Sequence, residues 1–237
     1  PLYSSAASDV YKRQALKKVL ESPEKPCVFI LGGAKADDSL KISQYVLKNN
    51  IADYVLTGGV VGHLFMAAKG INLGKPNMDL LKTKELMGLV PGIQELMKAF
   101  PKKIDIPNDV AVEEKGKRKE IAVKNLPTDY MISDIGEETI KKYSEIIRKA
   151  KSIVISGPMG VFENKDFAKG TRGIFEAIAA SRGFSLVGGG HTVAAVGELR
   201  LADKMSYVST AGGALIEFLM GEKLPGVAAL EKAASRK

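Results

Sequence analysis

Short, continuous apolar runs recur along the chain and alternate with stretches whose apolar residues fall three or four apart. The runs at Cys27–Leu31, Tyr54–Thr57, Lys103–Ile106, Val110–Val112, Glu120–Val123, Tyr130–Ser133, Ile153–Ser156, Ser185–Val187 and Met205–Ser209 predict strands. The helical spacing predicts helices over Ser39–Lys48, Gly62–Lys69, Pro91–Phe100, Glu137–Lys149, Thr171–Ser181, Thr192–Leu199 and Ala214–Met220. Strands that are apolar throughout, rather than alternating, are those covered on both faces. Strand–helix alternation then points to a parallel sheet between two helical layers. The expected fold is therefore α/β: a Rossmann-like three-layer α/β/α sandwich with a mainly parallel sheet. Lys103 to Val123 interrupts the alternation with successive strands and is expected to form a small antiparallel excursion.

Pro1 to Gln14 is polar, Ser-rich and aperiodic, without the apolar centre or cleavage site of a signal peptide. It reads as a non-native or disordered leader, leaving residues 15–237 as one domain. Leu16, Val19 and Leu20 mark a short amphipathic helix that stops before Pro23.

Composition narrows the classes. The 237 residues are 45% hydrophobic and 26% charged, enough to build a core in a water-facing domain. No run of about 18 apolar residues occurs, so no membrane partner is expected. A lone Cys27 excludes an internal disulfide and suits a reducing, cytoplasmic setting. His63 and His191 are the only histidines, and no paired-Cys or His-Glu-x-x-His spacing accompanies them, so no protein-built metal centre is expected. The net charge of +8 admits either nucleic acid or a small phosphorylated substrate. Its one dense cluster, Lys115-Gly-Lys-Arg-Lys119, lies between glutamates and reads as a solvated hairpin turn without the aromatic residues that stack bases. No nucleic-acid partner is expected.

Glycine carries the candidate chemistry. In an open parallel sheet, ligands bind where strands end and helices begin. Gly32-Gly33-Ala34-Lys35, Gly58-Gly59, Gly157-Pro158-Met159-Gly160, Gly188-Gly189-Gly190-His191-Thr192 and Thr210-Ala211-Gly212-Gly213 all fall at such points. One glycine pair is an ordinary tight turn, but five along one sheet edge exceed what folding requires. Glycine lets backbone approach a bulky anion, and a helix start adds free N–H groups and partial positive charge. Phosphate binding follows. The Gly-x-x-x-x-Gly-Lys-Ser/Thr loop is absent, and the dinucleotide fingerprint fails at Val193, leaving a dehydrogenase as the minor alternative. Lys35, just past Gly33-Ala34, is placed to neutralise a phosphoryl group, the chief protein contribution to phosphoryl transfer.

These segments together resemble phosphoglycerate kinase. Phe29-Ile-Leu-Gly-Gly-Ala-Lys35, Ser156-Gly-Pro-Met-Gly-Val-Phe-Glu163 with Phe167-Ala-Lys-Gly-Thr171, and Gly188-Gly-Gly-His-Thr192 carry the resemblance. Leu201-Ala-Asp-Lys204, Ser209-Thr-Ala-Gly-Gly-Ala214 and Leu224-Pro-Gly-Val-Ala-Ala-Leu230 extend it from about Ala15 to the carboxyl end. The resemblance is to the carboxyl-terminal, nucleotide-binding domain, in the archaeal-type variant. It implies phosphoryl transfer between 1,3-bisphosphoglycerate and ADP, giving 3-phosphoglycerate and ATP in glycolysis, with Mg2+ carried by the nucleotide. It also implies that Gly33, Ala34, Gly58 and Gly59 flank adenine and ribose, that Pro158 and Val161 line the adenosine slot, and that Glu163 holds the ribose hydroxyls. Lys35 would stabilise the transferring group. Gly189, Gly190, Gly212 and Gly213 would offer amides to phosphates, with Thr192 capping the helix beside them.

The sequence departs from the family pattern at two positions. His191 stands where aspartate is usual, and imidazole is a poor ligand for Mg2+, so hydrogen bonding to phosphate is the alternative role. Ser39 replaces a second phosphate-binding lysine, and Lys41, two residues on, is turned roughly 200° away. The family's amino-terminal half, which binds the phosphoglycerate, has no counterpart here. The expectation is a chain that binds ADP or ATP but is nearly inactive alone, with a disordered tail over Glu231 to Lys237. A stand-alone nucleotide-binding module without catalysis is the competing reading.

Overall fold

Cys27–Leu31 (β1) is buried along its whole length, as a strand must be when helices cover both faces of its sheet. The computed structural model describes residues 22–209 and 213–220. After β1 come Ala36–Lys48 (α1), Tyr54–Thr57 (β2), Gly59–Ala68 (α2), Lys75–Thr83 (α3), Val90–Ala99 (α4) and Ile104–Asp105 (β3). Asp109–Glu114 (β4), Lys117–Ala122 (β5) and Ile132–Ile135 (β6) precede Glu137–Lys149 (α5) and Ser152–Ser156 (β7). Lys169–Ala180 (α6), Phe184–Gly188 (β8), Gly190–Glu198 (α7), Tyr207–Val208 (β9) and Gly213–Leu219 (α8) follow.

The main sheet has six parallel strands in the order β3-β2-β1-β7-β8-β9. Alternation along β1 divides the core. Cys27, Phe29 and Leu31 face the layer of α1, α2, α4 and α8, whereas Val28 and Ile30 face α5, α6 and α7. Helix α1 shows why the layers seat. Ala36, Leu40, Ser43 and Leu47 repeat at helical spacing and are buried, while Asp37 and Asp38 in the first turn favour the positive helix end.

The predicted elements are present with ends moved by a few residues, and two expectations need correction. Residues 104–105 join the parallel sheet as its edge strand instead of the antiparallel excursion, which is β5-β4-β6 and draws its third strand from 132–135. Helix α3 is not foreshadowed by an apolar stripe, because only Asn77 and Leu81 are buried on it. Gly74 (φ +90°) and Pro76 start it instead. The hairpin turn at Lys115-Gly116 is present with positive φ at both residues, the geometry that matches strand twist. Pro1 to Gln14, the Leu16–Leu20 helix and the Glu231–Lys237 tail lie outside the described residues. Among the described residues no helix is long and apolar enough to cross a membrane.

Two aspartates of the small sheet fasten it to the large one. Asp109 accepts from the amides of Glu138 (3.0 Å) and Thr139 (2.8 Å), and so caps α5 from a distant strand. Asp134 accepts from the Gly170 amide in the first turn of α6 at 2.7 Å. Arg118 joins this contact, donating to Asp134 (2.8 Å) and to the carbonyls of Ile135 (2.8 Å) and Asp166 (2.9 Å). The charged hairpin thus has a solvated tip, but Arg118, the second residue of β5, is inward and paired.

Glycine placement generates a stability prediction. A Cβ on Gly32 would lie 2.2 Å from the Pro158 carbonyl oxygen, whereas one on Gly92 would meet Leu40 at an ordinary 3.5 Å. Gly32→Ala is expected to cost about 3 kcal/mol through overpacking. Gly92→Ala, within α4, is expected to be neutral or to stabilise by about 0.5–1 kcal/mol. Urea unfolding of both variants against the parent chain checks the contrast.

Candidate functional site

All six strands of the large sheet end on one edge, and the crossovers diverge between β1 and β7. A crevice forms at such a point. Three loops meet there backbone to backbone. Gly32 N donates to Ser156 O at 2.8 Å, Gly33 N to Pro158 O at 2.7 Å, and Gly59 N to Met159 O at 2.8 Å. A Cβ on Gly157 would stand 2.2 Å from Gly32 O, and one on Gly59 2.8 Å from Gly33 N. These glycines are needed for loop-on-loop contact, and their amides are already used.

Two adjoining cavities open beside this contact. The larger, about 400 Å³, is a slot with Gly33, Gly59 and Pro158 on one side and β4 and β6 on the other. Val161 and Met131, both exposed, stand among its lining residues, and His63, Met66 and Leu80 line it from α2 and α3. The smaller, about 320 Å³, is bordered by Lys35, Asp38, Ser39, Gly189, Gly190 and Thr192. Gly33, Ala34, Pro158 and His191 belong to both. An elongated molecule with an apolar, planar end and an anionic end fits this pair of spaces.

The smaller cavity holds the positive features. Gly189 (φ +89°) is the N-cap of α7 without a side-chain cap, so the first-turn amides of α7 have no partner among the described residues. A Cβ at Gly190 would meet nothing within 4 Å, which leaves the approach open. Lys35, exposed at the start of α1, makes no ion pair among the described residues. Ser39 borders the same cavity and turns its hydroxyl back to the Lys35 carbonyl at 3.0 Å. Lys41 borders neither cavity and pairs with Asp37 at 2.8 Å, as the helical offset predicted.

Gly33, Ala34, Gly59, Pro158, Val161, Glu163, His191, Gly189, Gly190, Thr192 and Lys35 all come together around the two cavities. Two placements differ from expectation. Gly58 borders neither cavity; it is buried behind Met159, whose sulfur would lie 2.6 Å from a Cβ there. Thr192 does not cap α7. It sits in the third helical position, where its hydroxyl accepts from the Gly157 amide at 2.6 Å and ties the β8 loop to the β7 loop. Gly213 opens α8, and Gly212 lies outside the described residues.

Sequence patterning gave no sign of His63, Asp134, Pro107 or Val110 as site residues. They reach the slot through α2 and the small sheet, and no local spacing links them. Asp134 is 1% exposed. Burial pushes its carboxyl up to about 6, against the opposing pull of the Gly170 amide and Arg118. His63 is 6% exposed. Burial alone lowers its imidazole to about 4, and its Nδ1 is sealed with no hydrogen-bond partner among the described residues. Among the described residues no cluster of three metal-ligating side chains occurs.

Comparison with known proteins gives consistent results. The sequence profile of the phosphoglycerate kinase family matches residues 11–222. Phosphoglycerate kinase of Methanothermobacter thermautotrophicus is 45% identical over 230 residues, covering 96% of this chain and 56% of that protein. The Pyrococcus furiosus enzyme is 46% identical over 221 residues, 92% of this chain and 54% of the relative. The crystal structure of the Pyrococcus horikoshii OT3 enzyme superposes with a TM-score of 0.89 at 41% identity, over 96% of this chain and 57% of that one. The Coxiella burnetii enzyme gives a TM-score of 0.82 at 32% identity, over 92% of this chain and 56% of that one. The chain therefore spans about half the length of the curated relatives it matches.

The two buried slot residues make opposite contributions to acid stability. His63 titrates at about 4 when folded and near 6.5 when unfolded. The unfolded chain thus binds the extra proton between those values, and stability falls as pH drops through that window. Asp134 has a folded value near 6 against 3.8, so it contributes in the opposite sense between about pH 6 and 4. His63→Leu is expected to remove the first effect, worth at most about 3 kcal/mol. Denaturant midpoints of parent and variant, measured from pH 7 to 4, should differ least at pH 7 and separate further in favour of the variant in acid.

Proposed function

Since the chain belongs to the phosphoglycerate kinase family, we propose that it is the carboxyl-terminal, nucleotide-binding half of an archaeal-type phosphoglycerate kinase. The supporting observation is the pair of joined cavities: an apolar slot leading into a space bordered by Lys35 and the free amides of α7. ADP or ATP fits this order of surfaces, with its base in the slot and its phosphates toward Gly189 and Gly190.

Pro158 and Val161 cover the base, and the exposed Glu163 carboxylate accepts from the ribose hydroxyls. The α7 amides and the Lys35 ammonium then hold the phosphate chain and offset charge on the phosphoryl group as it moves. Magnesium arrives with the nucleotide. His191 donates to phosphate in this reading, because oxygen ligands suit that ion better than imidazole. Asp38 is the one carboxylate among the described residues bordering the phosphate cavity. It would accept from water molecules around the magnesium when the nucleotide is bound.

The reaction is phosphoryl transfer from 1,3-bisphosphoglycerate to ADP, giving 3-phosphoglycerate and ATP, and its reverse. Binding of the phosphoglycerate requires a second domain beyond these residues. Closure of two halves supplies the alignment and water exclusion that transfer needs. The single buried Cys27 suits a cytoplasmic setting. A stand-alone nucleotide-binding module would use the same residues and differs only in having no catalytic partner.

Calorimetric titration with Mg·ADP tests the binding half of the proposal. One saturable site is expected, and Lys35→Ala should weaken it about 10- to 100-fold, as loss of a charge-assisted contact does. No heat from a folded sample would overturn the nucleotide reading. In a coupled kinase assay the 237 residues alone should show negligible turnover, and measurable turnover would refute the need for a second domain.

A further inference from the structure

His63 is anomalous for a buried residue. It sits on α2, on the face that also carries Gly59, Val60 and Met66, and all four line the slot. Its surroundings there are apolar: Met66, Leu80, Pro107, Val110 and Ile132. Neither ring nitrogen bonds any described residue, and Nδ1 is sealed from solvent. A leucine would fill this place without the cost of desolvating an imidazole. Nε2, unlike Nδ1, is not closed off from the cavity, and with no bond to any described residue it is the nitrogen open to a partner from outside the chain.

The other polar side chains of the slot do not compete for this role. Both Asp134 oxygens are engaged, by the amides of Ile135 and Gly170 and by Arg118. Glu163 and His191 are exposed, and Ser133 is half-buried. His63 alone among them is sealed and unpartnered. Because its Nδ1 is closed off, exchange with a ligand falls to Nε2. The neutral ring carries one proton. An orphan acceptor is tolerated in interiors better than an orphan donor, so the proton belongs on Nε2, as a donor toward the slot.

Resting on the nucleotide reading above, we propose that His63 reads the base. Its Nε2–H donates to a ring-nitrogen acceptor of the purine, as the one buried polar side chain of the slot not already engaged by the protein. A purine whose edge enters this slot loses its water, and His63 returns one of the lost hydrogen bonds. The residue is a specificity determinant for the base and takes no part in phosphoryl transfer.

Titrations of the 237-residue chain with Mg·ADP, its 1-deaza, 3-deaza and 7-deaza analogues and magnesium pyrophosphate test this, using the parent, His63→Leu and His63→Gln. His63→Leu should bind Mg·ADP about tenfold more weakly, the worth of one hydrogen bond, with partial recovery in His63→Gln. One deaza analogue should bind the parent about tenfold more weakly than ADP, yet match ADP on His63→Leu, because the lost partners are the same pair. Pyrophosphate should not distinguish the three proteins, a result that also excludes a merely misfolded variant. Unchanged Mg·ADP affinity in His63→Leu, or deaza penalties equal in parent and variant, would overturn the base-reading role alone. Absence of Mg·ADP binding to the parent would overturn the nucleotide reading and this role together.

Discussion

Gly32, Gly59 and Gly157 hold the β1, β2 and β7 loops in direct backbone contact, and both cavities exist because of it. A side chain at any of these positions would meet main-chain atoms at 2.2 to 2.8 Å. The loops would then move apart, carrying Gly33 and Pro158 with them. Those residues border both cavities, so one close contact sets the width of the slot and the position of the phosphate space. Thr192 extends the same arrangement to β8 through the Gly157 amide. The glycines of these three loops therefore act first as packing elements, whereas Gly189 and Gly190 stand at the open start of α7.

The small sheet supplies the opposite wall. Its position depends on Asp109 and Asp134, each capping a helix of the large domain. Arg118 neutralises Asp134 from the hairpin that looked, by charge alone, like a solvated turn. Removing one partner of such a buried pair leaves an uncompensated charge, which is why these contacts fix the wall so firmly. The slot is thus a product of two sheets joined by carboxylates, with apolar residues between them.

Much of this was legible in the sequence. Continuous apolar runs at 27–31 and 153–156 told of strands buried on both faces, and glycine pairs at their ends marked the edge where the two cavities open. Helix α3 escaped because its few buried side chains are insufficient to make a stripe. Residues 104–105 were misplaced because a two-residue edge strand has no period by which to tell its sheet. Lys35 and Gly189–Gly190, which border the smaller cavity, stood out by their local setting, and Glu163, which lines the larger one, through the family resemblance. His63, Pro107, Val110 and Asp134 were not, since each becomes a site residue only when two distant segments meet.

By itself, then, the sequence determined the layer order of the fold and the glycine-rich edge, because these rest on local periodicity and backbone freedom. Tertiary structure decided which glycines pack and which stay open, and it turned Thr192 from its own helix to a neighbouring loop. It also built the second wall of the slot and set an unpartnered imidazole in it. Those outcomes depend on distances between segments remote in the chain, and no residue pattern along the chain encodes them.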